Sequence, residues 1–344
     1  MSKRHSSILS NLAVPLVISP FLLGAGYVFW STVSARIDGS TSMQSIAQTE
    51  TKFSSIESVP AGTFAYGGST TWAPIRQAID PLIEEAHPNF QLQYTEAEGE
   101  TPGSGTGVKM LLNDQLSFSQ SSRGVKEEEY QQARVQDTTL TEIPVAIDGV
   151  VVTVHPNLPV DSLTIDDLKS IYQGIFTNWQ DLGGPDLEIV PYSRRRADSG
   201  TIEFFVDRVL DNNRFGSSVE FVDTVTVGVK KVSENLGGIY FGSAPEVVSQ
   251  CKVKPLALVN DAGESIPAHQ GDYIRPGECP EKRNKINFEA FQSGNYPLTR
   301  RLYVISKESE RAGSRAAKAY TEMLLTGEGQ RLLQELGFVP MRGN

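Results

Sequence analysis

The chain has 344 residues, of which 39% are hydrophobic and 21% charged, with a formal net charge of −10. Such a length holds roughly two domains of ordinary size, each able to bury a core. The negative balance argues against nucleic acid and anionic membrane surfaces as partners. It leaves a local anion site open, because surface charge is screened over roughly 8 Å at physiological salt.

Lys3 and Arg4 precede an apolar run from Leu12 to Trp30, with no acidic residue before Asp38. Residues 1–35 therefore read as an export signal or an N-terminal membrane anchor. Val33-Ser34-Ala35 offers the small residues of a cleavage site, and Pro15, Pro20, Gly24 and Gly26 weaken the run as a permanent helix. Cleavage and retention both stay open. In either case the body lies outside the cytoplasm, in the periplasm or on the outer face of the membrane. Residues 36–60, rich in Ser, Thr and Gln, read as a flexible linker.

From Gly62 onward the pattern is that of a folded body. Thr63–Tyr66 predicts a strand, and Gly67-Gly68-Ser69-Thr70-Thr71 a turn into a helix. Ile75, Ala78, Ile79, Leu82, Ile83 and Ala86 form one buried stripe of that helix, which Pro88 ends. Phe90–Tyr94 alternates like a strand. A second small-residue loop, Gly103 to Gly107, leads into a second helix carrying Val108, Leu111 and Leu112. This order of strand, loop and helix, repeated, predicts an α/β fold with a parallel sheet.

Ile143 to Val154 is long and nearly all apolar, as expected of a strand that leaves one core and enters another. Thr164-Ile165-Asp166-Asp167 predicts a helix start, Leu168, Ile171 and Tyr172 its buried face, and Gly174 its end. Leu187–Tyr192 predicts a strand that runs into Arg194-Arg195-Arg196 and a third loop, Asp198-Ser199-Gly200-Thr201. Ile202, Phe205, Val206 and Val209 supply the helix behind it. Arg301–Ile305 reads as a second crossover, followed by a helix over 312–325. Trp72 and Trp179 read as core residues, and Lys126 to Glu129 as a solvated helix face.

Cys251 and Cys279 are the two cysteines of the chain. In an oxidising compartment they are expected to pair, closing one loop worth about 3–4 kcal/mol in the chain-entropy model. Their spacing fits no zinc pattern, and neither a metal nor a cofactor is expected.

The three loops carry the chemistry. Helix starts expose unpaired N–H groups and the positive end of the dipole, and Ser and Thr hydroxyls add donors. One such loop is usually only an N-cap. Three in one chain, the third beside three arginines, point to a pocket for a small oxyanion. A serine hydrolase would need a base, and His5, His87, His155 and His269 offer little. No Walker-type loop is present, which excludes nucleotide hydrolysis of that kind.

Six segments carry a resemblance to a known family. They are Gly-Gly-Ser-Thr-Thr at 67–71, Gly-Ser-Gly-Thr-Gly-Val-Lys at 103–109 and Gln-Ser-Ser-Arg at 120–123. The others are Ile-Tyr-Gln-Gly-Ile-Phe-Thr-Asn-Trp at 171–179, Arg-Arg-Ala-Asp-Ser-Gly-Thr at 195–201 and Gly-Phe-Val-Pro-Met at 337–341. From about residue 61 to the end the chain resembles the phosphate-binding proteins of ABC-type phosphate uptake systems (PstS-like). The resemblance implies a two-lobed periplasmic-binding-protein fold of type II. Each lobe would be a mixed, mostly parallel sheet with flanking helices, and two crossover strands would act as hinge. Lobe 1 would comprise 61–148 and 300–344, and lobe 2 149–299.

It further implies a non-enzymatic monomer that binds inorganic phosphate and delivers it to an ABC-type phosphate permease. Carried over by position, Ser69, Thr70, Thr71, Ser104, Ser122 and Arg123 would line one wall. Ser199, Gly200 and Thr201 would line the other. Counting back from Ser199 selects Arg195 as the cation, whereas matching Arg-Ala-Asp selects Arg196. Ser122 stands where some relatives carry a carboxylate for the phosphate proton, and Asp198 is either a substitute acceptor or an arginine's orienter. A membrane-tethered phosphate sensor or storage module, or a binder of another oxyanion such as sulfate, are the alternatives.

Overall fold

The computed structural model describes residues 51–195, 199–309 and 311–341. The export segment, residues 36–50 of the expected linker, Arg196 and Asp198 lie outside them. Residues 51–60 are tied to the fold rather than free. Phe53 is buried, its N–H donates to Glu328 Oε2 at 2.8 Å, and its carbonyl meets His87 Nε2 at 2.8 Å. Ile56 and Val59 pack against the same core, and Thr51 accepts the Gly327 N–H through Oγ1 at 2.8 Å.

The continuous path of the main sheet runs through β1 (Gly62–Gly68), β2 (Phe90–Tyr94), β3 (Phe118–Ser121), β4 (Leu140–Val154), β5 (Val190–Ser193), β6 (Glu220–Phe221), β7 (Gly238–Ser243) and β8 (Thr299–Lys307), and two short strands, Lys254–Pro255 and Val339–Pro340, pair with β4 beside it. The spatial order along that path is β2-β1-β3-β8-β4-β7-β5-β6. β1 pairs parallel with β2 and β3, which obliges each connection to cross over through helix. β8 runs antiparallel to both β3 and β4.

β4 makes the transition expected of it. Its first half pairs with β8, and Val150–Val154 pairs with β7. Val145 and Ala146 join a core with Phe64, Trp72, Phe118 and Tyr320, while Val150–Val154 join a second core with Tyr172, Trp179, Phe205 and Phe241. Trp72 and Trp179 are fully buried, one in each core. Each indole satisfies its N–H on a backbone carbonyl, Ser121 and Gly237 respectively, both at 3.0 Å.

The helices that place the site are α1 (Ala73–Ala78), α2 (Asp80–Ala86), α3 (Ser104–Leu112), α4 (Glu127–Val135), α5 (Ile165–Tyr172), α6 (Gly200–Arg208) and α7 (Ala312–Leu324). The single helix expected after the first loop is two, divided at Ile79. Pro81 has no N–H for the carbonyl one turn back, so the ladder breaks there. Trp72, Ile75, Ile79 and Ile83 face the core, whereas Ala78 and Leu82 face out. The strand expected over 187–192 is shorter at its start and runs over β5. α5 has the predicted cap: Asp167 N–H donates to Thr164 Oγ1 at 3.0 Å, and Gly174 turns the chain with φ of 77°. Cys251 and Cys279 are disulfide-bonded, with Cα atoms 5.8 Å apart.

The 126–129 segment is solvated at Glu127 and Glu128 but not at Glu129. Glu129 accepts the Lys126 N–H at 2.8 Å and takes Arg123 in a two-pronged pair at 2.8 and 2.9 Å. A charge run at a helix start has orphan N–H groups to satisfy, which draws its third residue inward.

The broken helix buries Asp80. Its carboxylate accepts from Tyr66 Oη and, at 2.8 Å, from Tyr320 Oη. Burial raises its pKa to about 6, although both phenols and Arg76 favour the charged form. A carboxyl whose folded pKa is raised is best accommodated while protonated. Its contribution is therefore most favourable below the unfolded value of about 4 and is lost as pH rises towards 6. Against Asp80→Asn, the unaltered chain is expected to lose about 2–3 kcal/mol of relative stability between pH 4 and pH 7. Urea unfolding of both at each pH checks this, and a pH-independent difference would refute it.

Candidate functional site

Ser69 follows β1 directly. Gly68 has φ of 120°, a region open to glycine, so the chain turns out of the sheet and Ser69 N–H reaches the Gln120 carbonyl at 2.8 Å. Ser69 Oγ then accepts the Thr71 N–H at 3.3 Å and caps the short 3-10 turn Thr70–Trp72. Arg76 fixes the loop from behind, donating to the Ser69 carbonyl at 3.1 Å and to Gln120 Oε1 at 2.8 Å. Ser104 opens α3 and accepts the Ser122 N–H at 3.1 Å. Ser199 caps α6, accepting the Thr201 N–H at 3.1 Å.

These three starts meet. Ser122 Oγ lies 3.0 Å from Ser69 Oγ and 3.2 Å from Ser104 Oγ, and Thr71 Oγ1 lies 3.4 Å from Thr201 Oγ1. Gly200 presses into the same group: a β-carbon there would overlap Ser122 Oγ and stand 3.0 Å from Ser69 Oγ and 3.3 Å from Ser104 Oγ. Ser69, Ser104, Ser122, Ser199 and Thr201 are all buried. The cluster lies between the two cores, since α6 packs in one and Trp72 in the other.

A cation completes it. Arg300 on β8 donates through Nη2 to Thr201 Oγ1 at 2.7 Å and to Thr71 Oγ1 at 3.1 Å. Its Nε and Nη2 hold Asp148 Oδ2 at 3.0 and 2.8 Å, and Asp148 Oδ1 accepts from Ser243 Oγ at 2.7 Å. The two residues face each other in the β8–β4 register, and both side chains are almost wholly buried. Arg300 Nη1 is buried with no hydrogen-bond partner among the described residues. Buried hydroxyls around a held guanidinium make a donor-rich surface suited to a small oxyanion.

The family described as PBP superfamily domain matches residues 31–328. The chain belongs to the PBP superfamily. It is 28% identical over 283 residues to Protein SphX of Synechococcus elongatus, covering 80% of this chain and 76% of that protein. It is also 28% identical over 276 residues to Phosphate-binding protein PstS of Staphylococcus haemolyticus, covering 79% of each. An ABC-type phosphate transport receptor from Vibrio cholerae shares the fold with a TM-score of 0.64 at 21% identity, over 80% of this chain and 99% of that one. PstS from Borrelia burgdorferi does so with a TM-score of 0.56 at 20% identity, over 82% and 99%.

Of the arginines expected at the site in this PBP-superfamily chain, Arg195 and Arg123 have other partners, and Arg196 lies outside the described residues. Arg195 does not face the cluster; it is exposed, with its guanidinium 5.3 Å from the centre of the Phe221 ring. The reason is position: Ser193 ends β5 in register with Phe221 of the edge strand β6, and Arg195 lies over that edge. Arg123 lies beside Ser122, yet its donors are committed to Glu129, the Gly124 carbonyl and Glu203 Oε1, the last at 3.0 Å. Thr70 is half-buried, and its hydroxyl makes no hydrogen bond among the described residues.

Arg300 and Asp148 are not among the residues that sequence reasoning singles out. The signal for them lies in β4, where Asp148 is a lone carboxylate within an apolar run and so requires a buried partner. Behind it, Glu246 is held above the usual carboxylate range by burial and by Asp148. Among the described residues no group of His, Cys, Asp and Glu could hold a metal ion. Among the described residues no histidine hydrogen-bonds Ser199: His87 bonds the Phe53 carbonyl, and His155 accepts the Asn157 N–H.

Proposed function

We propose that this PBP-superfamily protein captures inorganic phosphate between two lobes and delivers it to an ABC-type phosphate permease, catalysing no reaction. The observation that carries the proposal is the meeting of three element starts, at Ser69, Ser104 and Ser199, around Arg300. Hydroxyls both donate and accept, which suits an anion that carries bare oxygens and a proton together. The names of the relatives from Staphylococcus haemolyticus and Vibrio cholerae point to phosphate as well.

In this reading Ser69, Thr70, Thr71, Ser104 and Ser122 contact the anion from lobe 1 (61–148 and 300–344). Ser199, Gly200 and Thr201 contact it from lobe 2 (149–299), and Arg300 supplies charge from the hinge. Arg196 remains a second cation of the reading. β4 and β8 are the two strands that pass between the lobes, and bending them would open the cleft. The disulfide fits an oxidising compartment, the periplasm or the outer membrane face, reached through residues 1–35 as signal or anchor.

Calorimetric titration of the anion-free full-length protein with phosphate, then in excess sulfate, tests the proposal. One-to-one phosphate binding that sulfate does not weaken is the expected result. Equal binding of both would reassign the ligand to oxyanions in general. Binding of neither would overturn the reading.

A further inference from the structure

A cavity of about 500 Å³ opens beside the hydroxyl cluster, and the segments that build the cluster continue into its wall. Ser122 is followed there by Arg123, Thr201 by Phe204 and Arg208 along α6, and Arg300 by Arg301 on β8. Residues three and seven positions apart share one face of a helix. Thr201, Phe204 and Arg208 therefore lie along one face of α6.

The charges on this wall are unequally answered. Arg123 is matched by Glu129 and Glu203, and the wall's carboxylate, Asp207, faces Lys126 at 3.6 Å. Arg300 has Asp148, but its Nη1 is buried and without a partner among the described residues. Arg208 and Arg301 are exposed, and neither side chain forms an ion pair or hydrogen bond among the described residues. Two free guanidinium groups thus stand at one cavity in a chain of net charge −10. The Phe204 ring, 5.6 Å from the Arg300 guanidinium, lowers the local dielectric and strengthens attraction for an anion.

We propose that this cavity is a second anion subsite continuous with the first, so that the cleft admits a condensed phosphate. One phosphoryl group rests on the hydroxyl cluster and Arg300, and the next lies against Arg208 and Arg301, whose planar forks suit phosphate oxygens. The inference rests on the phosphate reading of the cluster and extends its substrate class.

Titration of the full-length, anion-free protein with orthophosphate and with diphosphate tests it, alongside the Arg208→Ala/Arg301→Ala double variant. Both side chains are exposed, so the variant is expected to keep its fold. Diphosphate should displace orthophosphate from the unaltered protein. The double variant should bind diphosphate roughly tenfold more weakly or worse, and orthophosphate within about twofold of the original. The subsite is overturned if diphosphate fails to displace bound orthophosphate, or if the double variant weakens both anions equally. A protein that binds neither anion overturns the phosphate reading and the subsite together.

Discussion

Arg300→Met is expected to destabilise the protein by about 3–5 kcal/mol and to weaken phosphate binding by roughly a hundredfold or more. The two losses have different origins. Stability falls because Asp148, whose side chain is wholly buried, is left without its guanidinium partner. Only Ser243 Oγ would still donate to it. Affinity falls because Nη2 no longer organises Thr71 and Thr201, which it reaches at 3.1 and 2.7 Å, and no longer opposes the anion's charge.

The double variant Arg300→Met/Asp148→Leu separates the two. Replacing both members of a buried ion pair by apolar groups is often close to neutral for stability. Most of the unfolding free energy should therefore return, while phosphate binding stays lost. Chemical denaturation and calorimetry on the two variants measure both quantities. A double variant that binds phosphate like the parent would remove Arg300 from the site.

Gly200→Ala carries the second large effect, and it acts on affinity alone. Gly200 begins α6 without a positive φ, so its backbone tolerates a side chain, and alanine is the better helix former by about 1 kcal/mol. What the position lacks is space. The added methyl would overlap Ser122 Oγ and crowd Ser69 and Ser104. The serine hydroxyls must then turn away or the two sides of the cleft stand apart, and either change disturbs the hydrogen bonds that join Ser69, Ser104 and Ser122. Phosphate affinity is expected to fall roughly a hundredfold, about 3 kcal/mol, with the unfolding midpoint unchanged or slightly raised. Unaltered affinity would show that α6 does not close on the anion. A lowered midpoint would instead point to misfolding.

How much of this protein is legible in its sequence follows from the range of the forces involved. The three loops are legible because capping is local: Ser69 serves Thr71, Ser199 serves Thr201, and Thr164 serves Asp167, all within one turn of chain. The long strand is legible because a run from Val150 to Val154 that is apolar but for Thr153 needs core on both faces. Periodicity locates the buried stripe at Ile75, Ile79 and Ile83 but gives Ala78 and Leu82 to the core as well. The break at Pro81 turns them outward.

The arginines are not legible in the same way. Arg195, Arg196 and Arg123 stand next to the loops in sequence and are singled out by position in the motifs of the resemblance. Arg300 is 152 residues from Asp148 and 99 from Thr201, and only the pairing of β8 with β4 and the approach of α6 unite them. A guanidinium reaches several ångströms on a flexible stem, so its partner depends on the whole fold around it. Arg123 shows the same dependence, turned to Glu203 on a helix 80 residues away.

The sequence by itself determined where helices begin, which strands cross between cores, that two cysteines pair, and that several hydroxyl-bearing loops suit an oxyanion. Each of those depends on neighbours a few residues apart or on the apolar pattern of one segment. That Arg300 stands at the hydroxyl cluster, that Asp148 holds it, and how closely Gly200 approaches the serines were decided by tertiary structure. Those are contacts between distant segments, and their distances exist only once both cores have formed.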